Sequence, residues 1–187
     1  MFGLDASLEG YAAAIGLIGS LIVFLFQQRR LIQLRKQENY LSLELASTEL
    51  FRYEAQYGAV LAPYTEPRRP DDFAPAPGDD IVASNFYLQA LNLFEIAVRL
   101  RGENGFDPKI FGSWVIWFYD CTRSWYFRAH WAEWRENYTI ELRQVFDAPV
   151  QRFSADADEA DRAYFFEHVS KVMKCPVVRR WLADLDR

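Results

Sequence analysis

Asn85, Gln89, Asn92, Glu95 and Arg99 recur at steps of three or four residues, the spacing that lines side chains along one face of an α-helix. They interrupt the otherwise apolar segment Ile81–Arg101, so the pattern predicts a polar stripe on an element that is otherwise buried. A buried carboxylate is costly unless paired, and Arg99 follows Glu95 by four positions, the favourable order for a helical ion pair. Two roles fit these residues. One is a hydrogen-bonded network that fixes helix register, the preferred reading. The other is a buried Asn/Glu/Arg cluster, Asn92, Glu95 and Arg99, that senses a ligand or partner or serves a membrane-bound enzyme.

Other chemistry finds little support. Glu95 or Asp120 could act as a general base, but no second catalytic group accompanies either. Neither a G-x-S-x-G turn, nor a cysteine beside a base, nor a glycine-rich phosphate loop occurs. His130 and His168 are the only histidines. His130 shares a helix face with Glu133, but two ligands make no metal site, and the paired Glu-x-x-His motifs of carboxylate-bridged di-iron bundles are missing. The residues therefore call for no metal, no cofactor and no catalysis. Cys121 and Cys175 are far apart and form no paired motif, as free buried thiols do in a reducing cytoplasm.

The element that positions everything else is the run Gly10–Phe26 (GYAAAIGLIGSLIVFLF), uncharged throughout and followed by Arg29, Arg30, Arg35 and Lys36. As a helix rising about 1.5 Å per residue it covers roughly 25 Å, nearly the hydrocarbon core. Gln27, Gln28 and snorkelling arginines supply the rest. Asp5 and Glu9 stand where a signal peptide carries positive charge, and no A-x-A-like cleavage site follows. A retained signal-anchor is expected. The basic cluster lies behind the run and none lies before it, so the positive-inside rule places the N-terminus outside and the C-terminal domain in the cytoplasm, single-pass, in the cell inner (plasma) membrane. Ala12, Gly16 and Ser20 form a small-residue stripe of the kind that permits close helix packing and a homo-oligomer.

Net charge is −5 and aromatic content 17%. The charge predicts no nucleic-acid partner, and the aromatics predict bulky helix packing. No Gly or Pro interrupts residues 20–57, so the anchor can continue as a juxtamembrane helix. Leu43, Ala46, Leu50, Tyr53, Tyr57 and Val60 give it an apolar seam. Pro63–Asp80 (PYTEPRRPDDFAPAPGDD) reads as an extended, partly mobile linker. Asp80 is the expected N-cap of a helix ending at Gly102. Asn104-Gly105 makes a turn, and Asp107-Pro108 opens a helix that runs at least to Trp134. Thr139 caps a short helix to Phe146, Pro149 closes that section, a long helix spans 157–174, and Val177–Leu185 forms a last amphipathic turn or two after Pro176. With no strand alternation, the fold class is all-α: a single N-terminal transmembrane helix followed by a cytoplasmic helical bundle. The expected divisions are a short extracytoplasmic tail (1–9), a transmembrane helix (10–28), a juxtamembrane helix (29–62), a linker (63–80) and a bundle domain (81–187).

Leu91-Asn92-Leu93-Phe94-Glu95-Ile96-Ala97, with Arg99 and Asp107 ahead of an aromatic helix, resembles a large uncharacterised bacterial family of small N-terminally membrane-anchored helical proteins. Its domain of unknown function is built around an asparagine–aromatic–glutamate helix. The likeness covers roughly residues 84–133 and implies architecture, because that family has no agreed activity. The function expected on all these grounds is a membrane-anchored helical interaction or regulatory module, with the lipid bilayer and a protein as partners.

Overall fold

The computed structural model describes residues 8–154 and 159–185. Its regular elements are all helical: α1 (Leu8–Thr65), α2 (Asp79–Gly102), α3 (Pro108–Arg123), α4 (Trp125–Trp134), α5 (Ile140–Arg152), α6 (Glu159–Val172) and α7 (Pro176–Leu185), with a 3-10 turn at Arg135–Asn137. The expected all-α, multi-helix bundle is the observed fold. The chain divides into two compact units, Met1–Glu38 and Asn39–Arg187. Two helices, α1 and α2, are long and apolar enough to cross a bilayer; the apolar window of α1 is exposed throughout, whereas half of that in α2 is buried.

In the first unit the described residues form part of α1. Ile15, Leu17 and Phe26 are each about 70% exposed. The Ser20 hydroxyl donates back to the Gly16 carbonyl at 2.9 Å, and nothing approaches a Cβ built on Gly16. The Ala12 side chain lies outside the described residues, so the three-residue stripe is described only at Gly16 and Ser20.

The second unit begins with the rest of α1. Its buried seam is Leu43, Ser47, Leu50, Leu61 and Tyr64, with Glu54 and Tyr57 half-buried. This is an unbroken 4-3-4-3 spacing of the coiled-coil kind. It differs from the predicted seam, because Ala46 is exposed and Val60 only half-buried. An apolar rule skips Ser47 and Glu54, although both sit on the inward face. Tyr57 leaves helical geometry (φ −110°, ψ 16°) beside Gly58. Pro63, in the last turn, has no N–H to offer the preceding turn.

The Pro63–Asp80 stretch departs from the expected extended linker, for it is docked. Helix ends leave carbonyls without intrahelical donors, and here the start of α4 supplies them. Ser124 Oγ donates to the Tyr64 carbonyl at 2.7 Å, Trp125 Nε1 to Pro63 at 2.8 Å, Trp125 N to Glu66 at 2.9 Å and Arg128 Nη2 to Pro67 at 2.7 Å. Phe73 meets Tyr64 edge-on at 4.9 Å, and Arg69 lies 5.3 Å over the Trp125 ring.

Helix α2 starts after Gly78, a left-handed N-cap at φ 96°, and not after Asp80. The Asp80 carboxylate instead receives the Tyr126 hydroxyl at 2.7 Å. At its other end Asn104 (φ 56°) is left-handed, and Gly105 N returns to Leu100 O at 2.7 Å, a Schellman closure. Asn39 Nδ2 reaches the Gly105 carbonyl at 3.3 Å and ties α1 to this corner.

Asp107 caps α3 as predicted, its Oδ1 accepting from Lys109 N at 2.8 Å with Pro108 in the first turn. The single helix expected to reach Trp134 is broken at Ser124, whose extended backbone (φ −60°, ψ 133°) ends α3 and caps α4. Pro149 does not close α5; it is buried inside it. The core that results is aromatic. Phe94 packs on Phe118 at 4.1 Å and on Trp117 at 5.0 Å, and Phe146 lies 5.3 Å from both Phe127 and Trp131. Each such pair adds about 0.5–1.5 kcal/mol beyond the area it buries.

Candidate functional site

Helix α2 buries Phe86, Tyr87, Ala90, Leu91, Phe94, Ala97 and Val98 on one side. The predicted polar stripe falls on the other. Asn85, Gln89, Asn92 and Arg99 are exposed and Glu95 is half-buried, so the cluster Asn92, Glu95 and Arg99 is not a buried one. Ile81 and Ile96 are exposed beside it, at 66% and 46%. The reason is one-sided packing: α2 turns its alanine and aromatic residues toward the core and leaves a mixed polar and aliphatic face to solvent.

No Glu95–Arg99 ion pair forms among the described residues. Glu95 Oε1 accepts the backbone N–H of Thr139 at 2.8 Å. Thr139 is the N-cap of α5, and its own side chain makes no cap bond. The carboxylate of α2 thus satisfies the amide that opens α5, a charge-assisted bond at the positive end of a helix. This fixes the register of α5 against α2.

Arg99 lines an open cleft of about 600 Å³ where three helix ends converge. The end of α2 brings Arg99, Arg101 and Asn104, the start of α5 brings Thr139 and Glu141, and the end of α6 brings Lys174. Arg101 Nη1 donates to the Phe106 carbonyl at 2.9 Å, while Arg101 Nε and Thr139 Oγ1 are shut off from solvent with no hydrogen-bond partner. Lys174 is left-handed at φ 47°, closing α6 with Cys175 N on Ser170 O at 2.9 Å. The meeting of Arg101, Thr139 and Lys174 escaped sequence reasoning, which marked Thr139 only as a cap, because the three come from different helix ends. The one local signal, a lysine just before Cys175-Pro176, marks a helix end and not a site.

A second cleft of about 450 Å³ joins Glu54, Tyr87, Trp117, Asp120, Cys121 and Arg123. Burial raises the carboxyls of Glu54 and Asp120 above their ordinary values, Arg123 and Arg162 opposing the shift at Asp120. Burial also pushes the Cys121 thiol well up, with Asp120 and Glu54 adding to it. A thiol held protonated is no nucleophile. Cys121 and Cys175 are free and buried, as the spacing implied.

His130 is sandwiched by Tyr126 at 4.3 Å and Trp134 at 5.3 Å, with Nδ1 3.8 Å from Glu133. His168 Nε2 lies 2.8 Å from the Gln144 carbonyl. Among the described residues no three His, Cys, Asp or Glu side chains group as metal ligands would. Comparisons with protein-family models, curated proteins and solved structures found no match.

Proposed function

We propose that the chain is a membrane-anchored interaction module: a single pass made by the apolar part of α1, with Asn39–Arg187 on the cytoplasmic side. The observation that carries this reading is the exposure of every described side chain from Ala13 to Phe26, nearly all of them apolar. Leaving a leucine, isoleucine or phenylalanine in water forgoes about 1.5–3 kcal/mol each relative to burial, so this surface calls for a cover, and its length suits a bilayer. Arg29, Arg30, Arg35 and Lys36 supply the orientation. Half of the apolar window of α2 lies inside the bundle, which favours reading it as a core helix.

The outward face of α2, from Ile81 through Asn92 to Arg99, is the surface assigned to a protein partner, because it combines exposed aliphatic side chains with amides and an exposed guanidinium. The first unit's Gly16 face is the one assigned to a second copy. Confinement to a membrane raises effective concentration, so modest affinity suffices. The likeness of residues 84–133 to the bacterial membrane-anchored family supports the same architecture and adds no activity. Alkaline carbonate extraction, joined with a reporter fused at Arg187, tests the anchor. The full chain is expected in the membrane pellet with the reporter active only in the cytoplasm. Release by carbonate, or an exported reporter, overturns the reading.

A further inference from the structure

The geometry of the cleft between the ends of α2 and α6 and the start of α5 points to a binding site for a phosphate-type oxyanion, gripped by Arg99, Arg101 and Lys174. Each of the three is a cation without a carboxylate partner among the described residues. The side chains of Arg99 and Lys174 are exposed and make no hydrogen bond or ion pair among the described residues, and the Arg101 side chain spends only Nη1, on a carbonyl. The three cations outnumber the two carboxylates that line the same concave surface, Glu103 and Glu141, on a chain whose net charge is −5; an anion complements that local excess.

The donors around them suit an anion and not a cation. Glu95 takes the Thr139 N–H at the start of α5, and the first-turn amides that follow it have no intrahelical acceptors and carry the positive end of the helix dipole. Thr139 Oγ1 sits at that end with no partner. Arg101 Nε is likewise unpartnered, and with Nη2 it forms the edge of the guanidinium that matches two phosphate oxygens. Glu103 and Glu141 also line the cleft. They leave it one positive charge in excess.

Lys174 gives the cleft a feature that packing does not explain. It occupies a left-handed helix-closing position, φ 47°, which glycine fills without strain. A lysine there is conformationally unfavourable and places an ammonium on the cleft wall.

The phosphate can belong to a soluble molecule or to a lipid headgroup, and the test separates the two. Full-length protein is placed in phosphatidylcholine nanodiscs and melted with increasing inorganic phosphate, against chloride at equal ionic strength. A bound ligand raises Tm with its concentration. A second series replaces added phosphate with phosphatidylglycerol in the disc. A rise in the first series marks a soluble ligand and a rise in the second a headgroup; either supports the site only if Arg99→Gln and Lys174→Gly weaken the apparent affinity by about tenfold. Lys174→Gly guards against misfolding, because relief of the left-handed strain is expected to raise the basal Tm while the apparent affinity for the anion falls. No rise in either series, or a rise that both variants keep, overturns the proposal.

Discussion

Glu54 holds an inward position on α1 between Leu50 and Tyr57, half-buried and without a cation partner among the described residues. Burial alone lifts its carboxyl above the ordinary glutamate value. The folded state therefore takes up a proton more readily than the unfolded chain. For such a group the contribution to stability is full below the unfolded value and is lost as pH rises through the folded one. Glu54→Gln is accordingly expected to raise Tm at neutral pH, and the gain should shrink to nothing as pH falls to about 4. Thermal melts of both proteins across that range check this, and a lower neutral Tm for the variant would show that the carboxylate is stabilising. Asp147 behaves in the opposite sense. Arg135 grips it through Nε–Oδ1 at 3.0 Å and Nη2–Oδ2 at 2.8 Å, and Trp131 Nε1 adds a third bond, so its carboxyl is held below the usual range. Its contribution is present above the unfolded value and lost as pH falls through the folded one, which leaves an acid limb on the melting profile that Glu54→Gln does not remove.

At the scale of elements, Ser124 carries the junction. Its hydroxyl accepts from Phe127 N at 3.2 Å to cap α4 and donates to the buried Tyr64 carbonyl at 2.7 Å to close α1. Ser124→Ala removes an N-cap, about 1 kcal/mol, and strips a donor from a buried carbonyl that Tyr87 serves only at 3.3 Å, a further loss on the order of 1 kcal/mol. An unfolding free energy lowered by roughly 2 kcal/mol in denaturant titration is expected, with Ser124→Thr retaining most of the stability. An alanine variant as stable as the parent would mean that water replaces both bonds. The same junction shows what was legible in the sequence. Asp107-Pro108 and Asn104-Gly105 were readable because capping and left-handed turns are decided within a few residues. The break at Ser124 was not, because the aromatic run on either side continues a helical pattern and the cause of the break is a carbonyl sixty positions away in the chain. The α1 seam was read partly out of register because its inward face includes Ser47 and Glu54. The stripe on α2 was found, but its exposure depends on which neighbours cover the helix, and no local pattern encodes that. Glu95 was singled out by its spacing to Arg99, whereas its observed partner is the backbone of Thr139, visible only once α5 is placed.

For the whole molecule, the two units make opposite demands on their surroundings. The first presents Ile15, Leu17, Phe26 and their neighbours to whatever surrounds it. The second keeps its own core, from Leu43 and Leu50 through Phe94, Phe118 and Phe146 to Val169 and Val178, out of contact with solvent. A core of this extent, closed by capped helix ends and by a pinned proline-rich stretch, is sufficient for a domain of this size to fold cooperatively. Deleting residues before Asn39 is therefore expected to yield a protein that stays in solution without detergent, keeps its helical circular dichroism and melts in one transition. The full chain should instead partition into detergent or lipid. The apolar exposure lost with the deletion is what drives that partition, since burial of apolar surface is the dominant favourable term for association. If the shortened protein aggregates or melts without cooperativity, the seam from Leu43 to Tyr64 cannot be held without the preceding helix, and the anchor would be a structural part of the bundle as well as its tether.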